Sequence, residues 1–397
     1  MQNKRKEYIV VLTLGLLTAL GPFSIDMYLP AFPALASSLN SSIDHIQLSL
    51  TSFFIGISIG QLIYGPLTDR FGRKKPLIIG LTIYLLASLC SLWVHNAEQL
   101  IALRFMQALG ACAGMVVSRA MVRDIFPLTE SARVFSSLML VMGIAPVIAP
   151  TVGGFMLKWS NWQAIFLTLA LISFLMLLMT IFALPESKTP DKTIQLKPGA
   201  IFKEYWLVLQ NSIFLKYCLL GSLVSAGLFS YIAGSPFLAM KIYHISAENY
   251  GLLFGLNAIG IIGGSQVNRF LLKRFESVEI IKVMTTVMLV CGLLLPIAAY
   301  LNAPMVVVLT ILFCYISCYG FINPNASAIA LSPFIKNAGF ASALLGSTQM
   351  LFGVLASASI SFFHNGTEMP MMIIVCICGL AVFTISRKTA KEQIEIA

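Results

Sequence analysis

Residues 65–76 read GPLTDRFGRKKP, five charged side chains in twelve positions. The runs on either side, 45–66 and 76–95, hold no Lys, Arg, Asp or Glu, and each is near the 20 residues that a membrane helix needs. Two apolar spans stitched by a short charged loop is the pattern that decides the fold. It recurs along the chain. Hydrophobic residues are 58% of 397 positions, charged residues only 11%, and mean hydropathy is +0.88. A soluble globular chain carries about 25% charged residues, so this one has too little polar surface to present to water.

The sequence predicts an all-α membrane protein with twelve transmembrane helices. They fall at 8–34, 45–66, 76–95, 98–118, 133–157, 162–184, 213–238, 247–268, 279–301, 304–330, 338–363 and 369–386. With the N-terminus inside, all but three of the 26 basic residues fall on inner loops or tails, the exceptions being Arg104, Lys158 and Lys241. The positive-inside rule therefore sets both termini in the cytoplasm, and the +10 net charge faces anionic inner-leaflet lipid. No basic module for nucleic acid is visible. Lys4-Arg5-Lys6, an apolar run and Ala34-Leu35-Ala36 imitate a signal peptide. The run is long for a signal core, and cleavage would break the even helix count. The eight cysteines lie in predicted spans without a paired-loop pattern, so neither disulfides nor a metal site is expected.

The polar stretch 185–212 divides the spans into six and six. It gives an N-terminal bundle at 1–184, a cytoplasmic linker at 185–212 with an amphipathic piece near 200–209, and a C-terminal bundle with a short tail at 213–397. Equal halves suggest a substrate route between repeats.

Among sixteen acidic residues only Asp26 sits well inside a span, and among basic ones only Arg104. At 1.5 Å per residue they lie roughly 10 Å and 9 Å from the outer surface. Intramembrane ionisable groups usually mark pathways or proton sites. Pro22 and Pro30 bracket Asp26, so unwinding is expected there. Gly56 and Gly60 of GISIG fit a nucleophile pattern but read as a helix-packing face. Gln61, Asn257, Gln266, Asn323, Asn325 and Gln349 are candidates to line a cavity, with Phe23, Tyr28, Phe54 and Tyr231 as an aromatic wall. Asn323-Pro324-Asn325 predicts a broken helix.

Gly65, Leu67, Asp69, Arg70, Gly72, Arg73, Lys74 and Lys75 resemble the loop signature of the major facilitator superfamily. That resemblance implies a conformational latch carried by Gly65, Asp69, Arg70, Gly72 and Arg73. In the second half, SQVNRFLLKRFE (265–276) keeps the basic residues but has Asn268 where an acid would stand. Arg104, Gln107 and Gly110 resemble the superfamily's arginine-bearing motif, with Ala108 in place of a glycine, which predicts looser backbone approach there. Pro146, Pro150, Gly153 and Gly154 in MGIAPVIAPTVGGFM resemble the antiporter motif, Ala145 and Ala149 replacing its two earlier glycines.

With IDMYLPAFP, SRAMVRDIFP, YIAGSPFLAMKIYHIS, GLLFGLNAIGIIGGSQVNRFL and FINPNASAIAL, most of the chain resembles the bicyclomycin-resistance (Bcr/CflA-type) branch of drug-efflux transporters. The resemblance implies a monomer in the bacterial cytoplasmic membrane, exchanging protons for small apolar or amphipathic molecules, with no cofactor beyond the proton gradient. Asp26 and Arg104 are the expected proton-coupling residues. A dedicated metabolite exporter or a proton-coupled importer on the same fold is the alternative; a channel or membrane enzyme is a more distant one.

Overall fold

The computed structural model describes residues 2–126, 128–191, 198–334 and 338–396. Lys192, Lys197 and Lys336, counted above on the inner side, lie outside the described residues. Among the described residues there are helices and turns and no strand. The helices are α1 (Gln2–Asp26), α2 (Phe32–Ser38), α3 (Ile43–Phe71), α4 (Lys74–Cys90), α5 (Ala97–Ile125), α6 (Leu128–Trp159) and α7 (Gln163–Phe182). They continue as α8 (Pro198–Leu209), α9 (Ser212–Pro236), α10 (Ala247–Leu271), α11 (Ser277–Tyr300), α12 (Met305–Leu331), α13 (Ala338–Phe362) and α14 (Met369–Ile396). Among the described residues, eleven stretches are helical, long and apolar enough to cross a membrane: α1 with α2, then α3, α4, α5, α7 and α9 to α14. In α6 the apolar stretch Ile144–Trp159 is shorter.

Local chemistry sets the helix ends. Ser42, Asn96 and Asn211 cap α3, α5 and α9 by accepting the backbone N–H of the third residue on. Glu276 and Glu279 form a reciprocal capping box on α11. The first predicted span is not one helix. It stops at Asp26, passes through a 3-10 turn at Leu29–Ala31 and resumes as α2. Pro30 has no N–H to give to the Asp26 carbonyl, so the helix ends where the chain places its carboxylate.

The break expected at Asn323-Pro324-Asn325 is absent: α12 runs through it. Pro324 forfeits only the bond to the carbonyl four residues back. One position on, the Asn325 side chain donates to the Phe321 carbonyl at 2.9 Å and reinforces the turn.

Two compact units result, Met1–Glu204 with Ala247–Leu252, and Tyr205–Ser246 with Leu253–Ala397. In the first, α5 packs on α3, α4 and α1, while α1 packs on α6. The approach of α5 to α3 is close despite Ala108, which corrects the expectation of looseness. The small residue is on the partner helix: a Cβ on Gly56 would lie 2.6 Å from the Ala108 Cβ and 2.7 Å from the Phe105 carbonyl oxygen. In the second unit α9 packs on α12, α13 and α14, and α11 on α12 and α14. The Tyr315 hydroxyl donates to the Val375 carbonyl at 2.9 Å, tying α12 to α14.

Candidate functional site

Arg104 is fully buried in the first unit. Its Nη2 donates to the Ser24 carbonyl at 2.8 Å and its Nη1 to Gln107 Oε1. The guanidinium carbon lies 4.2 Å from the Phe53 ring centroid and 4.6 Å from that of Tyr28. Cation–π contacts of this kind strengthen when desolvated. A second ring of bonds fixes the partners. Gln107 Nε2 donates to Ser88 Oγ at 2.7 Å, Tyr28 and Ser49 hydroxyls meet at 2.6 Å, and Ser24 and Tyr84 hydroxyls at 2.5 Å. Arg104 is thus pinned to α1 two residues before the break.

Asp26 is only 4% exposed, yet among the described residues nothing bonds or pairs with its carboxylate. Asp26 and Arg104, at similar predicted depths, form no ion pair. Arg104 instead spends its charge on a backbone carbonyl, an amide and two aromatic faces. Immediately after Asp26, the Met27 carbonyl rests on α6. A Cβ on Gly153 would sit 2.2 Å from that oxygen, so only glycine fits. Its neighbour Gly154 meets the Ala247 carbonyl at the start of α10, where Lys158 pairs with Glu248 at 3.2 Å. Pro150 is buried and Pro146 half-buried in the same continuous helix.

The loop 65–76 folds into a charged knot on the first unit. Gly72 closes α3 at φ 84°, a left-handed conformation that favours glycine. Arg73 then bridges two acids, with Nη1 2.8 Å from Asp69 Oδ1 and Nε 2.8 Å from Asp124 Oδ2. Burial pushes the Arg73 guanidinium towards neutrality, but Asp124 and Asp69 outweigh it and hold the group more firmly charged than usual. Lys188 Nζ reaches Asp69 Oδ1 at 2.6 Å. The carboxylate over the start of α4 is Glu186, which accepts from the backbone N–H of Arg73 at 2.7 Å and of Lys74 at 3.1 Å. A negative group there complements the helix dipole. Gly65 has open space around its Cα.

Among the remaining candidates in the first unit, Tyr28 and Phe54 are fully buried, Gln61 is buried and Phe23 half-buried. In the second unit Asn257 Nδ2 donates to the Tyr231 hydroxyl at 2.9 Å, and Tyr231 stacks on Phe254. Asn325 Nδ2 donates to Asn268 Oδ1 at 2.8 Å. Asn323 Oδ1 accepts from Gln349 Nε2 and from Ser327 Oγ, each at 3.1 Å, and its Nδ2 donates to the Tyr319 hydroxyl.

The family model of the Major Facilitator Superfamily matches residues 14–357. The chain belongs to the Major Facilitator Superfamily. It is 34% identical to the "Uncharacterized MFS-type transporter YdgK" of Bacillus subtilis (strain 168), over 98% of both chains. It is 29% identical to the "Bicyclomycin resistance protein homolog" of Haemophilus influenzae, over 99% of this chain and all of that one. Against "Multidrug resistance protein D" of Escherichia coli (strain K12) it is 28% identical, over 96% of this chain and 97% of that one. Among solved structures, a D-xylose–proton symporter superposes with TM-score 0.76 at 16% identity, covering 95% of this chain and 97% of that one. A bacterial homolog of the lysosomal transporter Spinster gives 0.74 at 14%, covering 97% and 98%. These two likenesses show the fold. With its apolar helices and bacterial relatives, this superfamily member is a multi-pass protein of the bacterial cytoplasmic (inner) membrane.

Sequence reasoning missed several partners. Asp124 lies within the quoted SRAMVRDIFP, six positions past the predicted span 98–118, and Glu186 and Lys188 lie in the linker 185–212. Ser24, Ser49, Ser88 and Tyr84 carry no sequence signal, because only the packing of α1, α3, α4 and α5 brings them to Arg104.

Proposed function

We propose that this chain is a proton-coupled exporter of small, largely apolar or amphipathic compounds, working by alternating access without a cofactor or catalytic chemistry. The reading includes twelve spans, with α6 as the fifth, both termini in the cytoplasm, and two six-helix bundles at 1–184 and 213–397 joined by the linker 185–212. A monomer suffices for it. Relatives named for bicyclomycin and multidrug resistance support the substrate class.

The observation that carries the reading is Asp26, a buried carboxylate at a helix break without a partner among the described residues. An ionised carboxylate in such a place is costly until it takes up a proton or meets a ligand. Proton and substrate therefore compete for the same relief. Each proton moving inward gains about 2.3 kcal/mol per 100 mV of membrane potential, besides the pH gradient. Arg104 is a positioning residue: it holds the Ser24 carbonyl and so fixes α1 up to the break. Neutralising Asp26 relaxes the turn at Met27, whose carbonyl bears on Gly153, and this transmits the change to α6. The Arg73–Asp69–Asp124 knot, with Arg70, Gly65 and Gly72, holds the inner ends of α3, α4 and α5 in one arrangement and releases in the other.

The test is a toxicity panel in an efflux-deficient bacterium, comparing wild type with equally expressed Asp26→Asn. Protection by wild type alone is expected. Equal protection by both removes Asp26 as proton carrier, and protection by neither favours a narrow metabolite substrate.

A further inference from the structure

The second unit holds a polar group of a different kind. Among the described residues, the buried charged side chains are Asp26, Arg73 and Arg104, and all three belong to the first unit. The second buries only hydroxyls and amides. One polar cluster in it joins Tyr319, Asn323 and Ser327 on α12 with Gln349 on α13, facing Gly221 of α9. Counting inward from the inner ends of their helices, Asn323, Gln349 and Gly221 lie about 12, 16 and 13 Å deep. That is near the middle of a hydrocarbon core about 30 Å thick.

Asn323 and Gln349 are half-buried rather than sealed. A mid-membrane amide does not face lipid without penalty. On α13 the strongly exposed Leu351 and Leu355 lie about 160° and 120° round the helix from Gln349. Gln349 therefore points away from the face those leucines give to the bilayer. Asn323 uses both lone pairs of Oδ1 and one N–H, whereas Gln349 uses only one N–H, on Asn323. Among the described residues, its Oε1 and its other N–H have no partner. That leaves an acceptor and a donor on one fixed side chain, held in place by Asn323, with a glycine opposite to leave room.

Building on the exporter reading above, we propose that this cluster is a substrate-recognition site for uncharged compounds bearing amide or hydroxyl groups, with Gln349 the contacting residue and Asn323 its positioner. An amide on the ligand matches the free edge of Gln349, donor to acceptor and acceptor to donor. An apolar analogue leaves that edge unpaired, which is the stronger source of discrimination. A cation entering this site meets no counter-charge from the second unit. A neutral substrate leaving against one entering proton moves one net charge inward, so its export responds to membrane potential as well as to pH.

The experiment is equilibrium binding to the purified full-length protein in detergent. The probes are chloramphenicol (uncharged, one amide, two hydroxyls), an N-acetyl amino-acid amide, and tetraphenylphosphonium, a cation without hydrogen-bonding groups. Gln349→Met keeps length while deleting the amide; Asn323→Ala is added where it folds. The expected result is an uncharged probe that binds wild type and loses about tenfold in affinity in Gln349→Met, with tetraphenylphosphonium changed less than twofold. The proposal is overturned if no uncharged probe binds wild type, if Gln349→Met leaves its affinity unchanged, or if both classes weaken alike. Undiminished uphill export by Asp26→Asn, with the uncharged probe still weakened in Gln349→Met, breaks the exporter's proton-carrier reading and leaves this site standing.

Discussion

The loop at 65–76 and its counterpart at 265–276 occupy the same place in the two halves of the sequence and are built from opposite chemistry. In the first, Asp69 pairs with Arg73 and Lys188 and is more than a third exposed. In the second, Asn268 is 3% exposed and bonds Asn325 amide to amide. The contrast extends to the depth of each unit, with Asp26 and Arg104 in one and Asn257, Asn323 and Gln349 in the other. Charge can be loaded, released and screened, whereas a neutral pair changes little with pH or salt. A response to pH is therefore expected from the first unit's charged groups rather than from the second unit's amides.

The largest effect should come from the charge itself. Asp26→Asn is expected to reduce pH-driven uphill export in proteoliposomes to the level of empty vesicles while leaving substrate counterflow in place. Its thermal midpoint should not fall, because among the described residues the carboxylate has no partner to lose. A variant that loses counterflow as well would make Asp26 part of the carrier's mechanics rather than of its energy supply.

Next in size is the contact between the turn after Asp26 and α6. Gly153→Val should fail to assemble, or lose about 1–3 kcal/mol through overpacking, since its Cβ has no room beside the Met27 carbonyl. Gly263 in the second unit has nothing near its Cα, so Gly263→Ala should be neutral or gain up to about 1 kcal/mol in helix propensity. Thermal midpoints by fluorescence-detected gel filtration compare the two. Equal destabilisation would deny Gly153 its special place.

Arg73→Lys ranks third. One ammonium cannot reproduce a planar fork spanning Asp69 and Asp124, so a several-fold loss of transport rate at near-normal expression is expected in vesicle uptake. Full activity would reduce the loop to simple anchoring.

Much of this was legible in the sequence because membrane constraints are blunt. Spans announce themselves by length and hydropathy, and a lone Asp or Arg inside one stands out. The break at Asp26 was readable from Pro30, because a missing N–H acts locally. The break expected at Pro324 does not form because one proline forfeits one bond while its neighbours keep theirs, and the added bond from the Asn325 side chain to the Phe321 carbonyl is a choice of rotamer that residue identity does not settle. The same limit hid the first unit's wiring. Asp26 and Arg104 share a depth that the sequence shows, but which acceptor an arginine takes depends on how neighbouring helices rotate, and here the Ser24 carbonyl and two aromatic faces take it. Ala108 misled for a related reason: the space between two helices belongs to both, and Gly56 supplied it from the other side.

The smallest effects sharpen the contrast most directly. A double-mutant cycle on Asp69 and Lys188, through Asp69→Asn and Lys188→Met, should give a coupling of about 0.2–1 kcal/mol, because both side chains are about one-third exposed. Raising the salt from 0.05 to about 0.5 M should shrink that coupling as the Debye length shortens. The matching cycle on Asn268 and Asn325, each changed to Ala, should give about 1 kcal/mol and ignore the salt. Its single variants should be the more costly, since each strands a buried amide. Thermal midpoints at both salt concentrations supply the readout. The two curves distinguish a latch made to respond from a joint made to stay shut. If the amide pair couples no more strongly than chance contacts do, or if the Asp69–Lys188 coupling is indifferent to salt, the two loops do not differ in the way their chemistry implies. The absence of an acid at Asn268 would then be a tolerated substitution rather than a division of labour between the units.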